Sequence, residues 1–148
     1  MKSKTVAAWL CFAGGPLGLH RFYLYGLGDL IGWALPIPTA AGLYGVQRVQ
    51  QLGIDDPMSW VLLPLLGFTM AGCALNAIVY GLRTPQRWNA DFNPQADPEH
   101  AAGRTHWGTV LAIVASLLIG TTVLMSSIVY SFQRYFEHQV EEARKISQ

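Results

Sequence analysis

The residues of this chain that could carry chemistry are few and scattered. His20, His100, His106 and His138 are its four histidines, and none falls in HExxH or another ligand spacing. Cys11 and Cys73 form no CxxC pair and lie in apolar stretches, which disfavours a zinc site and a disulfide framework. They read as small buried residues. No GxSxG turn, phosphate-binding loop or dinucleotide fingerprint occurs. No catalytic residue, metal or cofactor is therefore expected. The net charge of +1 leaves too few cations for a phosphate-binding face, so nucleic acid is not an expected partner. One stretch does concentrate reactive and recognition-type side chains. It is Gly18-Leu19-His20-Arg21-Phe22-Tyr23-Leu24-Tyr25-Gly26.

The surrounding sequence says where that stretch sits. The 148 residues are 51% hydrophobic and 13% charged, against about 25% charged in soluble domains. The mean hydropathy is +0.27. The composition points to an all-α, polytopic membrane protein with the lipid bilayer as its main partner. A spanning helix needs roughly 20 apolar residues. Residues 107–130 carry no charge and end in Trp107 and Tyr130, whose rings suit the headgroup region. Residues 60–82 are also uncharged, with Pro64 early and Asn76 as the one strongly polar intramembrane side chain. Residues 27–46 contain Asp29 and a Pro36-Ile37-Pro38 step that predicts a kink. Residues 5–19 make only about 22 Å of helix, so this run either spans with help from Phe22, Tyr23 and Leu24 or dips in and returns. These four runs predict about four membrane helices. Residues 1–13 also mimic a signal peptide, but Gly14-Gly15-Pro16 replaces the small-x-small cleavage site, so an uncleaved first helix is expected.

Residues 83–106 carry Pro85, Pro94 and Pro98 among Asn, Asp and Gln, and read as a polar irregular linker. Residues 131–148 are polar yet periodic. Phe132, Phe136, Gln139, Ala143 and Ile146 are spaced four and three in alternation, and Met125 and Val129 extend the register backwards. An amphipathic helical tail is predicted, either solvated or forming a short coiled coil. Gly108, Ala112, Ser116 and Gly120 place a small residue at every fourth position of the rear helix. Such a stripe packs helices within one bundle or supports a homo-oligomer through the rear helix and tail.

An arginine among aromatics suits a tight turn at the membrane surface. The glycines around it let backbones approach closely. The pattern is more specific than that. Lys2, then Val6-Ala7, then Gly14, Gly15, Gly18, His20, Arg21, Phe22, Tyr23 and Leu24 resemble the TM-2 (two-transmembrane) domain family, bacterial type. The resemblance covers residues 1–29 well and thins through residue 82, where a spacer is inserted. It assigns residues 1–82 to a TM-2-like membrane domain and implies a helical hairpin with the Arg-Phe loop on the cytoplasmic side. Two departures stand out. Tyr25 displaces the usual glycine to Gly26, and Asn76 stands where an acidic residue often lies.

Asp29 follows Arg21 by eight residues. Either the two meet across the loop as an ion pair, or each charge reaches water separately. Transport chemistry has little support, since intramembrane polar groups are few and no internal repeat is visible. Four spans would place Lys2, Lys4, Arg48, Arg134, Arg144 and Lys145 on one side, and Arg21, Arg83, Arg87 and Arg104 on the other. The positive-inside rule then favours cytoplasmic termini, and the family resemblance favours the reverse. The sequence thus points to a non-enzymatic protein of a bacterial inner membrane, with a structural or protein-interaction role and an unknown protein partner. Alternatives are a small regulator or sensor using the His-Arg-Phe-Tyr loop, and a minor transport or channel component.

Overall fold

A computed structural model describes residues 1–147. The described residues are helical or irregular, with no strand. Helix α1 spans Lys4–Gly14, and a 3-10 turn at Gly15–Leu17 follows it. The predicted first helix to residue 19 therefore ends early. Pro16 has no N–H to continue the ladder, and Gly18 adopts φ +76°, which stops the helix.

Helix α2 then covers Leu19–Tyr25. The predicted nine-residue loop is thus a short helix framed by two positive-φ glycines, Gly18 and Gly26. Residues 19–25 contain neither glycine nor proline, so nothing inside them opposes helix formation. Helix α2 returns alongside α1. The Ser3 N–H donates to the Tyr23 hydroxyl at 2.8 Å, and the Lys2 ammonium donates to the Leu24 carbonyl. At the other end of this hairpin, Gly15 lies against Cys73, near the middle of helix α5 (Ser59–Leu82). Of the two expectations for the first run, the return is what forms.

The second run breaks where its prolines predict. Helix α3 is Leu30–Ala34 and α4 is Pro36–Leu52, six residues beyond the expected end. Pro36 and Pro38 lack the N–H groups that would bond Gly32 and Ala34. The Thr39 hydroxyl bridges the break, donating toward the carbonyls of Pro16 at 2.7 Å and Leu35 at 3.1 Å. The expected linker is also corrected. Residues 83–106 contain α6 (Pro85–Phe92) and a 3-10 turn (Ala101–Gly103). Thr84 caps α6 by accepting from Arg87 N–H, and Pro85 fills its first position. Trp88 is fully buried and packs on Phe92 with ring centroids 4.5 Å apart. Helix α7 runs unbroken from Trp107 to Ile146, joining the rear span and tail.

Helix α5 is central and packs against α1, α4 and α7. The bundle has two distinct ends. At the capped end lie the start of α1, the end of α2, α6 and the start of α7. Lys4, fully buried, ties this end together by donating to the Arg83 carbonyl and the Thr105 hydroxyl. The open end holds the α4–α5 turn and the outgoing tail of α7. Two helices, α5 and the one that runs through α7, are long and apolar enough to cross a membrane. Helix α1, with 11 residues, and the broken second run do not reach that length as single helices.

The packing of α5 and α7 is the reverse of a water-soluble bundle. Apart from Pro64 and Tyr80, their buried residues are small or polar, including Ala74, Ala77, Thr109, Ala112, Ser116 and Gly120. Leu75, Val79, Leu117, Leu118 and Ile119 face outward. Water would penalise such a surface by about 25 cal/mol per Å² of apolar area, whereas hydrocarbon does not.

Candidate functional site

The α2–α3 turn brings Arg21, Tyr25 and Asp29 together at the capped end, whereas Gly14, Gly15 and Gly18 lie at the other end of the hairpin. Arg21 forms a two-pronged ion pair with Asp29, with Nε and Nη2 each 2.8 Å from a carboxylate oxygen. The two charges therefore meet, and do not reach water separately. Asp29 also caps α3 by accepting from Gly32 N–H at 2.8 Å. The guanidinium lies over the Tyr25 ring, 4.3 Å from its centroid. Phe22 packs on Trp33, and Gly32 leaves room for the Phe22 edge.

Glycine is required here for reasons of space. A Cβ at Gly18 would sit 2.1 Å from the Gly32 carbonyl oxygen, and one at Gly15 would sit 2.6 Å from the Cys73 Cβ. At Gly14 it would strike Leu19. Gly26 is needed instead for its backbone, at φ +86° in open space. His20 points into the bundle, 2% exposed, with its ring 6.1 Å from that of Tyr80. Its Nδ1 has no hydrogen-bond partner among the described residues. Asn76 lies exposed on α5 beside a groove that His20, Arg21 and Tyr80 also line. The small-residue stripe faces inward. Gly120 abuts Ala74, Gly108 abuts Thr5, and the Trp9 indole donates to the Gly108 carbonyl.

A second turn repeats the first, contrary to the expectation of no internal repeat. Gly18, Arg21, Gly26, Leu27, Asp29, Gly32 and Trp33 correspond to Gly45, Arg48, Gly53, Ile54, Asp56, Ser59 and Trp60, with one constant offset. The geometry repeats with the residues. Arg48 Nε and Nη2 reach Asp56 at 2.8 and 2.6 Å, and Ser59 N–H donates to Asp56 at 3.0 Å. Gly53 takes φ +89°. Each tryptophan indole donates to the carbonyl six residues earlier, Trp33 to Leu27 and Trp60 to Ile54. The first turn lies at the capped end and the second at the open end, so the chain meets them in opposite directions. Comparing the sequence with itself would have found this repeat. Arg48 beside Asp56, with the Ser59 hydroxyl donating as well, holds that carboxyl well below the usual carboxylate range.

Other contributors carry weak sequence signals. Asn93 accepts from the Lys2 N–H at 2.7 Å, and the Trp88 indole donates to the Lys2 carbonyl. Both bind the hairpin to α6, a contact across more than eighty positions that no local pattern encodes. No family model, characterised protein or solved structure matches the chain.

Proposed function

We propose that this is a multi-pass helical protein of the bacterial inner membrane, of the TM-2 type, that acts through binding and not catalysis. The reversed packing of α5 and α7 carries the membrane reading, because only hydrocarbon tolerates those outward faces without cost. The short α1–α2 hairpin enters and returns, α3 and α4 together make one broken crossing, and α5 and α7 make two more. Three crossings replace the four expected from the sequence. The non-enzymatic reading rests on how the loop's polar groups are used. Arg21, Asp29, Tyr23 and Lys2 each hold backbone or one another in place.

This arrangement also reconciles the orientation cues. Lys2, Lys4, Arg21, Arg83, Arg87 and Arg104 gather at the capped end, and Arg48, Arg134, Arg144 and Lys145 at the open end. The positive-inside rule and the family resemblance then agree on a cytoplasmic capped end. Reporter fusions ahead of Met1, at Asn93 and after Gln148 test the reading. Three crossings require the first two on the cytoplasmic side and the third outside. Termini on the same side would restore four crossings and overturn it.

A second reading concerns self-association through the tail. Met125, Val129, Phe132, Phe136 and Ile146 are all more than half exposed, whereas Ser127 and Arg134 face the bundle. The four-and-three seam therefore points away from the rest of the chain, where a second copy would meet it in parallel. Cysteine crosslinking at Phe136, with Glu141 as the control, tests this. Equal crosslinking at both positions would remove it.

A further inference from the structure

The groove between the hairpin and α5 collects polar side chains that the fold leaves unused. Its volume is about 260 Å³. Its polar end is made by His20, Asn76 and Tyr80, under the Arg21–Asp29 pair. Its other end is apolar, with Leu35, Pro38 and Phe68. The His20 ring is buried with an unpartnered Nδ1, and Asn76 is exposed on a helix that otherwise presents Leu75 and Val79 outward. Counting back from Leu82, Asn76 lies about 9 Å below the end of α5. At that depth in a bilayer there is no water to satisfy an amide, so an unpaired polar group there is disfavoured.

The position within the fold adds weight. The groove runs beside the α3–α4 break, and that break lies between the two oppositely directed turns. In secondary transporters, broken helices at the interface of inverted repeats are where binding sites are built. Ile31 and Phe68, on the rim, are exposed on the outer surface, so entry is lateral.

We infer that this groove binds the head of a lipid-soluble molecule carrying carbonyl oxygens, with its apolar tail lying along Leu35, Pro38 and Phe68. Asn76 and Tyr80 offer an N–H and an O–H donor that no hydrogen bond among the described residues uses, the His20 ring lines the same end, and a carbonyl supplies an acceptor for the two donors. Such oxygens come from a ring ketone or from a glycerolipid ester. The inference rests on the membrane reading above, and the topology fusions test that reading separately.

The test uses full-length protein, delipidated in detergent and offered decylubiquinone or phosphatidylglycerol, with retention read by native mass spectrometry. Two variants probe the groove without disturbing the core. Asn76→Leu removes an exposed donor. Gly72→Leu fills open space, since a Cβ at Gly72 meets nothing within 4 Å. Wild type is expected to retain one probe, Asn76→Leu to bind it about tenfold more weakly and Gly72→Leu to lose it, all with unchanged melting. Retention of decylubiquinone identifies the ring ketone, and retention of phosphatidylglycerol the ester. Failure to retain either probe, or equal retention by all three proteins, overturns the inference. So does a disulfide-linked dimer through Asn76→Cys, which would show a second copy covering the groove.

Discussion

The two turns share residues and hydrogen bonds, yet they do different work. At the open end, Arg48, Asp56 and Ser59 close a connection between two long helices, α4 and α5. At the capped end, Arg21, Asp29 and Gly32 join two short pieces, α2 and α3, of which neither is long enough to be stable alone. The second carboxylate is also better served, since the Ser59 hydroxyl donates to it at 2.6 Å where Gly32 offers no such group. The same latch therefore closes a rigid hairpin at one end and supports a groove at the other. The capped turn joins short helices, and the open turn joins long ones and is further tied to α7 by the Arg134–Asp55 pair and the Trp60–His138 ring contact.

The largest effect should come from the glycines that begin each repeat. Gly18→Val meets the Gly32 carbonyl at 2.1 Å and a left-handed backbone, so folded protein should be lost in detergent size exclusion. Gly45→Val meets the Leu62 side chain at 2.6 Å and should lower yield without abolishing it. Equal tolerance of both changes would show that the hairpin is not built on Gly18.

Next come the carboxylates. Asp56→Asn should lower the melting temperature by about 5–10 °C, and Asp29→Asn by less. The reverse order would mean that the Ser59 hydroxyl adds nothing. A pH series sharpens the same point. Asp56 is held below the usual value near 3.8, so its contribution is complete at neutral pH. It is lost as pH falls from that usual value through the folded one. The acid limb of wild-type melting should be steeper than that of Asp56→Asn, and superimposable limbs would contradict the pairing.

The smallest effect tests the equivalence itself. Gly26→Ala and Gly53→Ala both add a Cβ in open space at nearly the same positive φ. Each should cost about 1–3 kcal/mol through backbone strain, measured by denaturant unfolding, and the two costs should agree. Clearly unequal costs would end the comparison.

Much of this was legible from residue order alone. The run at 60–82, the start of the rear helix at Trp107 and the Pro36–Pro38 break all reappear within a residue or two, because each depends on local propensity and length, and the tail continues that rear helix without a break. The Arg21–Asp29 pair was one of two open readings. The α2 helix was missed because its flanking glycines suggested a loop, when they act as stops at both ends. Helix α6 was missed because proline-rich composition outweighed the Thr84-Pro85 start signal.

What the sequence determined by itself is the hydrophobic inventory, the breaks and the repeated latch, since these follow from side-chain chemistry at short range. The tertiary structure alone decided that the first run folds back on itself as a hairpin. That outcome depends on Lys2, Ser3 and Lys4 finding partners at Leu24, Tyr23 and Arg83, and on Gly15 meeting Cys73. It also decided that the small-residue stripe is used within the chain, because Ala74 and Thr5 arrive opposite it. Contacts between distant positions are set by packing the whole bundle at once, and no window of neighbouring residues contains them.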